Sequence, residues 1–350
     1  MIVYSYIATL IVALAMSLIL SPIAIKIGQC CGIVSKSKDI EIDRPPVSNL
    51  GGFAVLLSIA AGILAAYLIY RPAFSGYGRI SLGIGIGTAI MVVMGYIDDR
   101  RDLRAGTKFI IQIVAALITA ILGVRIATIS NPFDSVFDLG ALSIPATVLW
   151  IVGVTNAVNM VDGMDGLATG VLSIAGLTLS AICISLGLPF VSIIFLALFG
   201  ATIGFLHFNY PPARIILGNV GAYSLGYIIA TASIVQPVKV PTAVVMFVPM
   251  FALGLPILEM VITVSRRILK RKKIYQGDTE HLHHLLLALG FSPSVADWIF
   301  YCVSFLFATV AVALAVGNRK LTIVFLACLL LIFSILTVKL ALSQRRKEGS

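Results

Sequence analysis

Charge is what this chain has least of. Only 11% of its 350 residues are Asp, Glu, Lys or Arg, while 59% are hydrophobic. A soluble domain carries about 25% charged residues, so the two soluble domains that the length alone would suggest are excluded. Cysteine is also sparse. Residues 30, 31, 183, 302 and 328 contain no CxxC pair and mostly fall in or beside apolar runs, which argues against a disulfide framework. The N-terminal apolar run has no basic segment before it and no A-x-A-like site close behind it, so the first span is expected to stay attached.

Long apolar runs are what the chain has instead. A bilayer-spanning helix needs about 20 mostly apolar residues. Candidates lie at 4–25, 51–70, 80–97, 109–124, 141–160, 167–187, 189–207, 219–235, 240–264, 298–316 and 321–338. The expected fold is all-α: a polytopic integral membrane protein of about 11 transmembrane helices. It forms one transmembrane domain over 1–350, with a basic and histidine-bearing loop at 265–297 inside it.

The net charge of +10 raises nucleic acid as a partner, and its distribution answers. One set of loops holds Lys26, Lys36, Lys38, Arg44, Arg100, Arg101, Arg104, Lys108, Arg214, the bases from Arg266 to Lys273, Lys339, Arg345, Arg346 and Lys347. The opposite set holds only Arg71, Arg79, Arg125, Lys239, Arg319 and Lys320. The positive-inside rule then orients the chain N-out and C-in, and the inner (plasma) membrane is its expected location. The excess base serves orientation, anionic lipids and an anionic substrate, with no nucleic acid. All four histidines and nearly all the acids fall on the cytoplasmic side, so the chemistry is expected on cytoplasmic loops.

Four clusters carry that chemistry. Span three ends in Asp98, Asp99 and Asp102 among Arg100 and Arg101, with Lys108 and Gln112 opening span four. Adjacent carboxylates repel without a cation between them, so this is either a magnesium or phosphate-handling site or a solvated loop neutralised by its arginines. Between spans five and six, Asn156, Asn159, Asp162 and Asp165 recur every three residues, with Gly163 and Gly166 behind the acids. Asx-Gly pairs suit turns, but the pattern runs longer than a simple turn needs, and its oxygens suit magnesium, ribose hydroxyls or a base edge. Gly218, Asn219 and Gly221 open span eight, where backbone amides and the helix dipole favour an anion unless Asn219 merely caps the helix. Last come His281, His283 and His284 after a basic run, on a short helix capped by Asp278 and stopped by Gly290. Without HExxH or thiolates, these read as phosphate donors and not zinc ligands. Glu259 lies about 10 Å from Arg266 along a helix. It is thus shallow, lining the same cavity or pairing with a loop arginine. Gly83, Gly85 and Gly87 form a GxGxG inside an apolar helix with no strand before it, so helix packing is its expected use.

Together these clusters resemble the polyprenyl-phosphate N-acetylhexosamine-1-phosphate transferases, closest to their WecA/TagO branch. Three motifs match in order and spacing: Asp-Asp-Arg-x-Asp-Leu from Asp98, Asn-Ala-Val-Asn-Met-x-Asp-Gly-x-Asp-Gly-Leu from Asn156, and His-x-His-His from His281. Pro46 followed by Gly51 and Gly52 matches more loosely. The resemblance implies that a polyprenyl phosphate attacks the β-phosphorus of a UDP-sugar donor, giving a lipid diphosphate-sugar and UMP. The implied cofactor is Mg2+, with Mn2+ as a substitute. It also implies roles: Asp98 and Asp99 catalytic; Asn156, Asn159, Asp162, Asp165, Lys108, His281, His283 and His284 substrate-binding; Asn159 and Asn219 on the metal. A homodimer is the expected assembly.

One departure stands out. The resembling family usually has Asp where this chain has Asn219, which keeps an oxygen donor and loses the charge, so weaker magnesium binding is expected. Two rival readings are a degenerate, inactive member and a secondary transporter. Transporters place ionisable groups near mid-bilayer on broken helices, whereas these acids and histidines cluster at span ends.

Overall fold

The structure is a computed structural model and describes residues 1–35, 47–130, 136–235, 242–269, 282–318 and 320–329. Twelve helices carry the argument: α1 (Ile2–Cys30), α2 (Gly51–Ile69), α3 (Gly78–Arg101), α4 (Ala105–Ile121), α5 (Ser143–Val161) and α6 (Leu167–Ser185), then α7 (Pro189–Asn209), α8 (Gly218–Ser233), α9 (Thr242–Ala252), α10 (Gly254–Leu269), α11 (Leu282–Ala288) and α12 (Pro293–Ala315). Two short antiparallel hairpins accompany them, Val34–Ser35 with Val47–Ser48 and Thr128–Ser130 with Val136–Asp138. The polytopic all-α expectation therefore holds.

Seven described helices are long and apolar enough to cross a membrane. The other four expected spans are shorter, broken or only partly described. Residues 109–124 fall in α4, whose 17 residues reach about 25 Å. Residues 219–235 fall in α8, which has 16. Residues 240–264 are divided between α9 and α10 at Leu253. Pro256 explains that break, since it lacks an N–H and its ring crowds the carbonyl four residues earlier. Of 321–338, a helix is described only to Leu329.

Helix α8 is the axis of the bundle. From Val220 to Ser233 every residue is buried, and α2, α3 and α5 lie along it. Lipid tails are as apolar as leucine, so membrane helices associate through close packing of small residues and through hydrogen bonds. Both occur here. A Cβ on Gly87 would run into the ring of Tyr227, whose hydroxyl meets Thr119 Oγ1 at 2.6 Å and donates to Ala115 O at 2.9 Å. Gly83 and Gly87 are thus packing positions, as expected, whereas Gly85 is exposed and faces open space. Buried hydroxyls elsewhere donate to carbonyls, either four residues back, as Thr155 does to Ile151 O, or across helices, as Ser17 does to Ala201 O. This satisfies polar groups where water is absent. Leu149, Ile110, Leu57 and Val93 turn outward, more than half exposed.

The consecutive spans alternate in direction. The C-terminal ends of α1, α3, α5 and α7 therefore lie with the N-terminal ends of α2, α4, α6 and α8, and the polar clusters meet at this end. The 211–217 loop is stitched to the start of α2, where Gly51 N–H donates to Ile216 O and Gly52 N–H to Leu217 O. These are donors that a helix start leaves unpaired.

Candidate active site

Two adjacent acids end α3 and take different environments. Asp98 is buried, and its Oδ1 accepts from Leu103 N–H at 2.9 Å and pairs with Lys108 Nζ at 2.8 Å. Its Oδ2 is buried without a hydrogen-bond partner among the described residues. Asp102 turns the chain in the left-handed region (φ 45) straight after. Asp99 points the other way, toward α8. Its Oδ1 accepts from Asn219 N–H at 3.1 Å, and Val220 N–H and the Asn49 side chain also reach it. The anion that the amides of α8 were expected to bind is thus the protein's own Asp99. Asn219 makes no side-chain capping bond, so the capping alternative does not hold.

This approach requires glycine twice. Gly95 lets α3 lie on the first turn of α8, since a Cβ there would sit 2.7 Å from the backbone of Asn219 and Val220. Gly218 adopts φ 70, and a Cβ on it would collide with Asn49 Oδ1.

Asp162 follows α5 directly. It is half-buried, and its loss of solvent, followed by the charges of Asp99 and Asp165, pushes its carboxyl well above the usual carboxylate range. Asn159 lies one turn earlier on the same helix, half-buried. Asn156 and Gln112 exchange amide hydrogen bonds of 2.5 and 3.4 Å, tying α5 to α4. Asp165 Oδ2 accepts from Ala213 N–H at 3.0 Å, which fastens this turn to the loop after α7. His283 and His284 belong to α11, whose first N–H, from Leu282, donates to the buried Glu259 at 3.1 Å. Glu259 therefore helps hold the histidine helix. The helix ends at Gly290 (φ 88), as expected. His281, Asp278 and the 36–46 loop lie outside the described residues.

Three residues that shape the site carried no role in the sequence reading. Asn209 Oδ1 accepts from Gly166 N–H and Thr169 Oγ1, while its Nδ2 donates to Ile215 O, at 3.1, 2.7 and 2.9 Å. Tyr301 donates to Gly166 O at 2.8 Å. Asp297 on α12 is wholly buried beside them, and neither of its oxygens has a hydrogen-bond partner among the described residues. A lone acid at the edge of the 298–316 apolar run was the available signal for Asp297. An amide just before Pro211-Pro212 was the signal for Asn209.

Among the described residues, no three His, Cys, Asp or Glu side chains are already gathered around a metal position. The donor chemistry still fits a hard cation. Asp98 Oδ2 makes no hydrogen bond within the geometric range among the described residues, although the Tyr223 side chain of α8 lies against that carboxyl, and Asp162 is desolvated within the field of two other carboxylates.

The profile of the family described as Glycosyl transferase family 4 matches residues 81–236, which spans Asp98, Asp162 and Asn219. A Bacillus subtilis protein described as a probable undecaprenyl-phosphate N-acetylglucosaminyl 1-phosphate transferase is 34% identical over 334 residues, 95% of this chain and 90% of its own length. The chain belongs to this transferase family. Other members similar to it include a decaprenyl-phosphate N-acetylglucosaminephosphotransferase of Mycobacterium tuberculosis, 31% identical over 77% of this chain and 72% of that one. A phospho-N-acetylmuramoyl-pentapeptide-transferase of Heliobacterium modesticaldum is 32% identical over 77% of this chain and 84% of its own. In this member of the transferase family, Asp99 of α3 binds the first turn of α8, and Asp162 after α5 lies within the field of its charge.

Proposed function

We propose that the protein transfers N-acetylhexosamine 1-phosphate, with GlcNAc as the leading sugar, from a UDP-sugar to a polyprenyl phosphate and releases UMP. The reaction faces the cytoplasm and starts a lipid-linked cell-envelope glycan. The observation that carries this reading is the seating of Asp99 from α3 on the first amides of α8, with Asp162 after α5 within the field of its charge. Helix ends meeting at one face suit a reaction between a soluble nucleotide and a membrane-bound lipid.

In the reaction an acceptor phosphate oxygen forms a bond to the donor's β-phosphorus, and the bond from that phosphorus to the oxygen of UMP breaks. A phosphate monoester has its second pKa near about 6, so the acceptor is mostly dianionic at neutral pH and requires placement more than deprotonation. Asp98 and Asp99 provide that placement in our reading, held rigid by Lys108 and by the amides of α8. Catalysis by positioning and charge stabilisation is the rule for phosphoryl transfer. Asn159, Asp162 and Asp165 face the nucleotide, with Asn156 bracing α5. Lys108 and the histidines at 281, 283 and 284 serve the diphosphate and sugar. Mg2+, held by Asn159 and Asn219 together with the nearby carboxylates, would neutralise the donor diphosphate.

The test is UMP release by purified protein supplied with UDP-GlcNAc and related UDP-sugars, with and without undecaprenyl phosphate. Lipid-dependent UMP is the expected result. Its absence with every donor would refute the assignment.

A further inference from the structure

The first turns of α8 carry polar residues at a spacing of four: Asn219, Tyr223 and Tyr227. Residues four apart share a helix face, and this face looks onto α3. At its near end Asn219 N–H donates to Asp99. At its far end Tyr227 packs over Gly87 of α3 and bonds Thr119 and Ala115 of α4. Tyr223 stands between them, against the Asp98 carboxyl.

Tyr223 is 2% exposed, within the wholly buried stretch of α8. A threonine hydroxyl so placed can donate to its own helix, as Thr231 does to Tyr227 O. A tyrosine hydroxyl stands too far from its own backbone for that and, when buried, takes a partner elsewhere. The charges that act on this hydroxyl are those of Asp98 first, then Asp99 and Asp102.

Asp98 has the complementary gap. Leu103 N–H and Lys108 Nζ both hold its Oδ1. Its Oδ2 is buried and has no hydrogen-bond partner in range among the described residues. Both contacts reach one oxygen, so the carboxyl is free to pivot about it. A donor from α8 on Oδ2 stops that pivot, and the phenol is the group that lies there. Catalytic hydrogen bonds are often long before substrate binds and tighten in the complex. An ionised carboxylate oxygen has two lone pairs, so such a bond leaves one open to a cation.

We infer that Tyr223 is a positioning residue, whose hydroxyl donates to Asp98 Oδ2 and fixes that carboxyl in the orientation used for transfer. The inference rests on the transferase reading and adds to it how α8 holds both acids of α3. Asp99 is held by backbone amides and Asp98 by a phenol.

Tyr223→Phe removes the hydroxyl alone. In purified full-length protein it should lower kcat for lipid-dependent UMP release at least tenfold and leave the UDP-sugar KM within twofold. Tm should fall by about 2–4 °C, the loss of one hydrogen bond to a charged group. Both effects should vanish once the carboxyl is gone. In an Asp98→Ala background, Tyr223→Phe should move Tm by less than 1 °C and residual UMP release by less than twofold. Tyr227→Phe deletes the same atom one turn along the helix, so it should lower Tm and leave kcat within twofold. Wild-type kcat in Tyr223→Phe would overturn the inference. So would an equal Tm loss in the Asp98→Ala background, or an equal kcat loss in Tyr227→Phe, which would mark the effect as one of packing. Wild-type protein that releases no UMP would refute the transferase reading instead, and the Tm comparison would still decide the contact.

Discussion

Replacing Lys108 with methionine tests whether the Asp98 carboxylate depends on its cationic partner. The Asp98 side chain is 1% exposed and Lys108 is 21% exposed, with 2.8 Å between the charged atoms. Removing one member of a buried pair typically costs about 3–5 kcal/mol, because the remaining charge stays desolvated. Lys108 keeps some contact with water, which places the expected loss near the lower end, about 3 kcal/mol. With about 2.1 cal/mol/K of unfolding entropy per residue, 350 residues give about 0.7 kcal/mol/K, so Tm should fall by about 4 °C. Methionine keeps the length of the lysine stem, so the cost is one of charge and not of a cavity. Adding Asp98→Asn removes the stranded charge and should recover most of the stability, while lipid-dependent UMP release stays at least a hundredfold below wild type. Thermal unfolding followed by intrinsic fluorescence, alongside the UMP assay, checks both. A Lys108→Met protein that melts within 1 °C of wild type, or a double variant no more stable than the single one, would refute the reasoning.

Other consequences follow from neighbouring contacts. Asn219→Asp adds a charged oxygen beside Asp99 and should lower the magnesium concentration for half-maximal activity at least fivefold; an unchanged magnesium titration would count against Asn219 as a ligand. Asn209→Ala removes three hydrogen bonds and leaves buried partners unpaired, so Tm should fall by several degrees and the donor KM should rise, measured in the same two assays. Asp297→Asn removes a buried acid that no described group partners; desolvation favours the neutral form of such an acid, so Tm should change little at about pH 6 and rise relative to wild type at about pH 9, and a fall at both would reveal a partner that the carboxyl needs. Asp162 has a folded pKa raised above its unfolded value, so it binds more protons in the native state. Its contribution is therefore full below about pH 4 and is lost as pH rises through the raised value. In EDTA, Tm should fall with pH over that window, and Asp162→Asn or added Mg2+ should flatten the slope.

The membrane-spanning character was legible because it depends on local pattern, and so was the gathering of polar residues at span ends. Apolar runs near 20 residues reveal helices, and the repeat from Asn156 to Asp165 reveals an ordered polar turn. What the pattern could not provide was pairing at a distance. Nothing near Asp99 in sequence says that its partner is the backbone of Asn219, 120 residues on. The expected anion at α8 was right in kind, but the anion proved to be an internal carboxylate. Glu259 shows the same limit. Its distance from Arg266 was readable from helix rise, whereas its bond to the start of α11 depends on how the chain returns after 269. The expected single span at 240–264 gave way to two helices because hydropathy averages over Pro256, which lacks the N–H that a continuous helix needs at that point. Asn209 was overlooked for a related reason. An amide at a helix end looks like ordinary capping until its three partners, drawn from two other segments, are known.

The central claim is that a sugar phosphate moves from nucleotide to lipid. Incubating purified protein with UDP-GlcNAc labelled in the sugar, Mg2+ and undecaprenyl phosphate measures it directly. The account predicts label in the organic phase as an undecaprenyl diphosphate-sugar, with one UMP released per sugar transferred and neither product formed by Asp99→Asn. Label that stays in water with every UDP-sugar tried, or UMP released at the same rate without the lipid, would contradict it.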